Sequence, residues 1–417
     1  MNVNELNLKL TELIDSDKYI SLLQEAIQHE SITGNEANFV AFLSEKMTEL
    51  NLNPEQEDFL PNRPNILGRR TGSGAGKTLQ FMGHTDTVHV DGWKENWKGD
   101  PRENPFSGVI IDDQIWGRGS GDLKAGICAS LAALDLLDRA GIELKGNVQY
   151  AFLGDEESGQ EGTGVSAGIK QYIKQFKQGL VAKPDFVIYT EPTQLNIFTA
   201  QMGFFIGEIK VIGKSAYFGV PENGIDALKA SHQVLSAIWK YSDHLNQSYD
   251  HPTVGKSFVL VTEVKSGGSI AVPGECSISL IRKLVPGESL DESVAELEQI
   301  VRDSIEMEGI SVEFAYPAGR DHKYGGSPAE ITEGLPEVSL LTEAVEAAMS
   351  DHGQIKGAPY WSEAPFTIKE LNCPTVYCAP GDISNCHTFE ERVNVKEYLA
   401  AIVAFASFIA AYCGTSE

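Results

Sequence analysis

The sequence predicts an α/β protein, a mainly parallel-sheet domain that carries an inserted ferredoxin-like α+β domain. Three observations lead there. Short apolar runs alternate with helical segments along the first half of the chain; the block from Phe204 onward reads β-α-β-β-α-β; and the alternation resumes near Gly334.

Leu79 to Gly83, Val148 to Leu153, Phe186 to Tyr189 and Pro374 to Ala379 are apolar on both faces, as strands buried inside a parallel sheet require. Between the first two, Leu123, Ile127, Leu131 and Leu134 recur at helical spacing, and Gly141 follows where a helix end is expected. The next block supplies a strand (Phe204 to Ile212), a helix (Ile225 to Trp239), two strands (Ser257 to Val264, Cys276 to Leu284), a helix (Leu290 to Ile305) and a strand (Ile310 to Tyr316). The expected division is therefore residues 1–203 with 319–417 for the first domain and 204–318 for the insertion. No internal repeat or low-complexity tract interrupts it.

Composition narrows function. The 417 residues hold 33 Lys plus Arg against 59 Asp plus Glu, a net charge of -26, with 42% hydrophobic residues. Such an excess repels nucleic acid and anionic membranes, and no basic run offsets it. The first fifteen residues, MNVNELNLKLTELID, lack the apolar core of a secretory signal, so a cytoplasmic protein is expected. The uncharged stretch Tyr398 to Cys413 falls short of a bilayer span of about 20 residues and reads as a buried helix stopped by Gly414. Six cysteines in no CxxC pattern are expected as reduced thiols.

Several His and carboxylate residues each follow a predicted strand or begin a helix. In open α/β sheets, residues leaving several strands converge beyond the carboxyl ends. GHTD places His84 and Asp86 after the first strand, where side chains at i and i+2 point the same way and Asp86 is expected to bond the His84 ring. GRGSGDLKAG delivers Asp122 to a helix start, either as a cap or as a ligand. In LGDEESG, Glu156 and Glu157 point apart, so one carboxylate can bind a metal while the other faces a water; an exposed acidic loop is the plainer alternative. YTEPT supplies Glu191 and PGDISNCHT supplies His387. Jointly these suit two divalent ions of the zinc type, bridged by one carboxylate and a water.

This ordered set resembles the di-zinc hydrolases that include acetylornithine deacetylase, succinyl-diaminopimelate desuccinylase, aminoacylases and glutamate carboxypeptidases, and the resemblance spans nearly the whole chain. It implies that His84 and Glu191 hold one metal, Glu157 and His387 the other, that Asp122 bridges them, and that Glu156 is the general base. Zinc is the implied ion, with cobalt or manganese as alternatives. Glu191, where some peptidase branches carry Asp, is similar to the deacylase branch, which implies hydrolysis of N-acyl amino acids; a di- or tripeptidase, a carboxypeptidase or a non-catalytic relative are the alternatives. The insertion resembles the family's lid, implying a homodimer formed through it. In that lid GKSAYFGVPENGIDAL resembles the segment that caps the site, and Arg282 in SLIRKLVPGE resembles the residue that grips a substrate carboxylate. Two departures stand out. Tyr217 occupies the position of a lid His that polarises the scissile carbonyl, and the loop near Ile270 lacks the family's Asn. A Tyr hydroxyl can still donate to an oxyanion.

Two other patterns carry no chemistry. GSGAGKT (Gly72 to Thr78) lacks the first Gly of a phosphate-binding loop and precedes a strand, so a turn is expected. GVSAG around Ser166 has no buried strand before it and reads as a helix start.

Overall fold

Strands apolar on both faces need cover on both sides, and in the computed structural model, which describes residues 2–157 and 162–416, those runs lie side by side in one sheet. In chain order the strands used below are β1 (Glu55–Leu60), β2 (Arg63–Arg70), β3 (Thr78–His84), β4 (Asn147–Leu153), β5 (Phe186–Tyr189), β6 (Ile197–Gln201), β7 (Gly203–Ile212), β8 (Ala216–Tyr217), β9 (Phe258–Ser266), β10 (Ala271–Val272), β11 (Glu275–Leu284), β12 (Ser311–Ala315) and β13 (Thr375–Tyr377). The helices are α1 (Val3–Leu13), α2 (Ser16–Gln28), α3 (Ala37–Glu49), α4 (Ala125–Arg139), α5 (Ala167–Lys177), α6 (Ala227–Ser248), α7 (Leu290–Asp303), α8 (Pro336–Ala348) and α9 (Val395–Cys413).

The chain divides into two compact units. The first holds the residues up to Thr199, Ile331–Lys356 and those from Phe366 onward. Its sheet runs β1-β2-β4-β3-β5-β13-β6, with β4, β3, β5 and β13 mutually parallel and the outer strands antiparallel. One face packs on α4 and α9: Phe81 lies against Phe405, and the Tyr150 hydroxyl donates to the Ser130 carbonyl. The other face meets α5, where the Tyr172 hydroxyl donates to Gln80. Helix α9 is long and apolar enough to span a membrane, but 67% of that stretch is buried in this unit against α4, α8 and α1. The Asn394 side chain caps its start, and Gly414 ends it at φ 77°.

The second unit comprises Ala200–Glu330 and Gly357–Pro365. Its sheet order β9-β11-β7-β12, all antiparallel, backed by α6 and α7, is the ferredoxin-like arrangement. Alternation builds its core: Ile278 and Leu280 of β11 meet Val234 and Ile238 of α6 and Leu297 of α7 in one buried cluster. This unit reaches beyond residues 204–318, because Gly325–Gly326 pairs with Phe205 and Phe204 and Trp361 packs on Phe204. GSGAGKT forms the connection leading into β3, and Ser166 is the N-cap residue of α5. Residues 158–161 of DEESGQEGT lie outside the described residues.

Candidate metal centre

Parallel neighbours end at a common edge, and that edge collects the candidate residues. Strand β3 ends at His84, β4 runs on into Glu156 and Glu157, β5 into Glu191, and β13 leads to His387. Asp122 arrives from the turn Ser120–Lys124, and α4 begins only at Ala125. Leu123, expected within the helix, has non-helical φ/ψ, as does Asp122. Two residues into α4, Gly126 lets the first turn approach β5 closely, since a Cβ there would lie 2.5 Å from the Thr190 carbonyl.

Asp122 occupies the centre. One carboxylate oxygen lies 3.0 Å from His84 Nε2 and the other 3.1 Å from His387 Nε2. It makes no cap to α4, whose N-cap is Lys124 without a side-chain bond, so the capping alternative is set aside. Glu191 lies 3.7 Å from His84 Nε2, and Glu157 lies 2.8 Å from His387 Nε2. Glu156 and Glu157 fall into different groups that share His84: ligand atoms of His84, Glu156 and Glu191 lie within 4.8 Å of one another, as do those of His84, Asp122 and Glu157. His84, Asp122, Glu157 and Glu191 are buried, whereas the His387 side chain is 51% exposed and marks the open side.

These groups perturb one another strongly. Burial opposes the His84 charge, but Asp122 and Glu191 outweigh it and raise its pKa well above the usual imidazole value. For His387 the same opposition of burial against Asp122 and Glu157 ends at about 11. Burial would raise Asp122, yet the two imidazoles hold it well below the carboxylate range. Glu157 moves the other way, to about 7, through burial and repulsion from Asp122. Protons on the two imidazoles thus stand where cations would serve the same carboxylates. Two imidazole nitrogens with three carboxylates form a donor set that fits divalent ions of the zinc type.

A second layer of buried charge, not expected from the sequence, holds the turns around the candidate ligands. Glu391 accepts from the backbone N–H groups of Gly121 and Asp122, each at 3.2 Å, and pairs with buried Arg118. Asp155 accepts from Gly164, Val165 and Ala167 and meets Arg63, which also grips Glu36. Lys124 donates to the carbonyls of Ala26 and His29 at the end of α2, and burial lowers its pKa to about 7. The sequence signal for Asp155 is adjacency to Glu156 and for Glu391 a position four residues after His387; for Arg63 and Arg118 there is none.

Three expectations change. The His84 ring does meet Asp86, but through the backbone carbonyl, 2.9 Å from Nδ1; the Asp86 carboxylate stays 3.9 Å away. That carboxylate instead accepts from the N–H groups of Glu156 (3.2 Å) and Glu157 (2.9 Å) and from the Thr33 hydroxyl, and burial raises its pKa to about 6. Arg282 is not available to grip a substrate: it is fully buried, paired with Glu288 and bonded to the Lys283 carbonyl. DEESG is no exposed acidic loop at Asp155 and Glu157, both of which are buried. Tyr217, 58% exposed on β8, belongs to the second unit, as does buried Glu363 of YWSEA.

Such a donor set at the carboxyl edge of a parallel sheet suits a metal-dependent hydrolase. Residues 80–411 match the family described as "Peptidase family M20/M25/M40", and the chain belongs to that family. It is 25% identical to acetylornithine deacetylase of Vibrio cholerae over 395 residues, covering 89% of this chain and 93% of that protein. It is 24% identical to N-formyl-4-amino-5-aminomethyl-2-methylpyrimidine deformylase of Bacillus subtilis over 409 residues, covering 92% and 91%. In fold it is similar to a tripeptidase from Staphylococcus aureus, with a TM-score of 0.75 at 17% identity over 96% of this chain and 99% of that one.

Because Asp86 pins both Glu156 and Glu157 through their backbone, Asp86→Ala is expected to weaken zinc binding about 10- to 100-fold in a chelator competition, as loss of an outer-layer partner does. Unchanged affinity would show that the Glu156–Glu157 turn holds itself.

Proposed function

We propose that the protein is a deacylase that hydrolyses the amide bond of N-acyl amino acids, in the manner of acetylornithine deacetylase, with two divalent ions, zinc foremost, and Glu156 as general base. The observation that carries this reading is Asp122 placed between His84 and His387 with Glu156 beside His84 and Glu191. His84 and Glu191 would hold one ion, His387 and Glu157 the other, and Asp122 would be shared. When bound, the ions supply Lewis acidity, which lowers the pKa of water and polarises a carbonyl. Glu156 takes the proton of the attacking water and returns it to the leaving amine. Asp86 keeps that carboxylate in place through the backbone, and the Asp86 carbonyl holds the His84 ring so that Nε2 faces the centre. The Tyr217 hydroxyl donates to the developing oxyanion.

A peptidase reading is the second one, favoured by the fold likeness to a tripeptidase. Turnover of N-acetyl amino acids above that of tripeptides with a free amine supports deacylation; the reverse order supports the peptidase. We also place the protein in the cytoplasm, consistent with six buried cysteines all present as free thiols. A homodimer through the second unit is supported by β9, an edge strand that exposes Leu260 and Val264, and by Trp239 exposed on α6.

Glu156→Gln is expected to keep both zinc ions by metal analysis while losing about 10²- to 10⁴-fold in kcat, whereas Asp122→Asn loses zinc from both sites. Near-normal kcat in the first variant removes Glu156 as the base. Tyr217→Phe is expected to lower kcat by about 10²-fold at little change in KM, the loss that follows removal of an oxyanion donor; an unchanged kcat assigns the hydroxyl no such role. In light scattering the protein should show twice the 45.4 kDa chain mass, and Leu260→Lys should return it to the single-chain value; a wild-type monomer refutes the dimer.

A further inference from the structure

A cavity lies in the first unit toward the amino-terminal ends of the same strands and shares no residue with the candidate metal centre. Its volume is about 260 Å³, below the roughly 300–1,000 Å³ of sites for drug-sized ligands, so it suits a small metabolite. A row of polar side chains crosses it: Arg69 of β2 is in register with Gln149 of β4, and Gln149 with Gln80 of β3. Residues in register on neighbouring strands face the same side of a sheet, here the side of α5. The next position in this row, on β5, is Val187. An apolar residue therefore fits the row, and two glutamines are not what packing alone asks for.

Both glutamines are almost fully buried, Gln80 at 1% and Gln149 at 5% exposure. The Tyr172 hydroxyl donates to Gln80 Oε1 at 3.0 Å, while Gln80 Nε2 and Gln149 Oε1 have no hydrogen-bond partner among the described residues. Buried amide atoms are nearly always paired, so two adjacent unpaired ones point to a partner from outside the chain. One is a donor and the other an acceptor, on strands about 4.8 Å apart. A carbonyl oxygen and an N–H on a single edge, as in a primary carboxamide, meets both at once. Two charged residues also line the cavity, Arg69 and Glu55, both exposed at its rim. Arg69 has no ion pair among the described residues and is free to meet a carboxylate; Glu55 suits an ammonium group.

We propose that this cavity is a second binding site, for a small amino acid bearing a carboxamide, whose amide edge is read by Gln80 and Gln149 and whose charged end lies between Arg69 and Glu55. The site is separate from the metal centre: β3 carries Gln80 near its start and His84 at its end.

Calorimetric titration of the zinc-loaded protein with L-glutamine tests this. Glutamine should saturate the protein with a Kd below about 1 mM. L-glutamate, which lacks the amide N–H that Gln149 accepts, should bind at least about tenfold more weakly, a loss near 1.4 kcal/mol. Gln149→Leu should lose glutamine binding by a similar factor without changing zinc content. If that buried variant fails to fold, Arg69→Ala, at an exposed position, gives the same answer through weakened glutamine binding with kcat on an N-acyl amino acid unchanged. No heat of binding, equal affinity for glutamate, or binding indifferent to both substitutions overturns the proposal; the last outcome assigns glutamine to another surface, the metal centre included.

Discussion

The first unit is organised around one electrostatic constraint: Asp122, Glu157 and Glu191 are buried together at one sheet edge with Glu156 beside them. Carboxylates taken out of water and set near each other cannot all remain charged without positive partners. Two imidazoles meet part of that need, and Asp122 shows it most plainly, held below the ordinary carboxylate range by His84 and His387 while Glu157 is driven up. Divalent cations answer the same need more completely. An edge that is costly to fold when empty is, by the same measure, a strong binder of metal.

Three segments around the candidate centre are each tied down by a different carboxylate accepting backbone N–H groups. Asp86 holds the Glu156–Glu157 turn, Asp155 the segment that opens α5, and Glu391 the turn that delivers Asp122. Two of the three are paired with buried guanidinium groups, Asp155 with Arg63 and Glu391 with Arg118. The acidic excess therefore divides into three parts: ligands, anchors and a solvated surface. Only the last follows from net charge; the first two depend on where the chain leaves each strand.

That division explains what was legible beforehand. The strands and helices, and the position of the candidate residues after each strand, follow from local patterns, because apolar runs and helical spacing are properties of adjacent residues. The anchors were not legible, because the Arg63 partners stand 27 and 92 residues away. Asp86 was misjudged for a geometric reason. The same-side rule for i and i+2 holds within an extended strand, but β3 ends at His84, and beyond it the carbonyl rather than the carboxylate turns back. Arg282 was misjudged although its burial was readable: it shares the alternation of Cys276, Ile278, Leu280 and Leu284, all inward-facing on β11. An arginine at an inward position needs an internal counter-ion, here Glu288.

The candidate metal ligands and Tyr217 are residues of different kinds. Every candidate ligand and every anchor belongs to the first unit, so a hydrolysis centred on them would be set by that unit's strands. Tyr217 has no comparable framework. It sits on a two-residue strand paired with Ala271–Val272, with exposed Phe218 and Ile270 as neighbours, and no core packing sets its direction. An exposed residue of this kind leaves no periodic mark in a sequence. Proteins similar to this chain carry names from deacetylase to deformylase to tripeptidase, as expected where function lives in sites set on a shared fold.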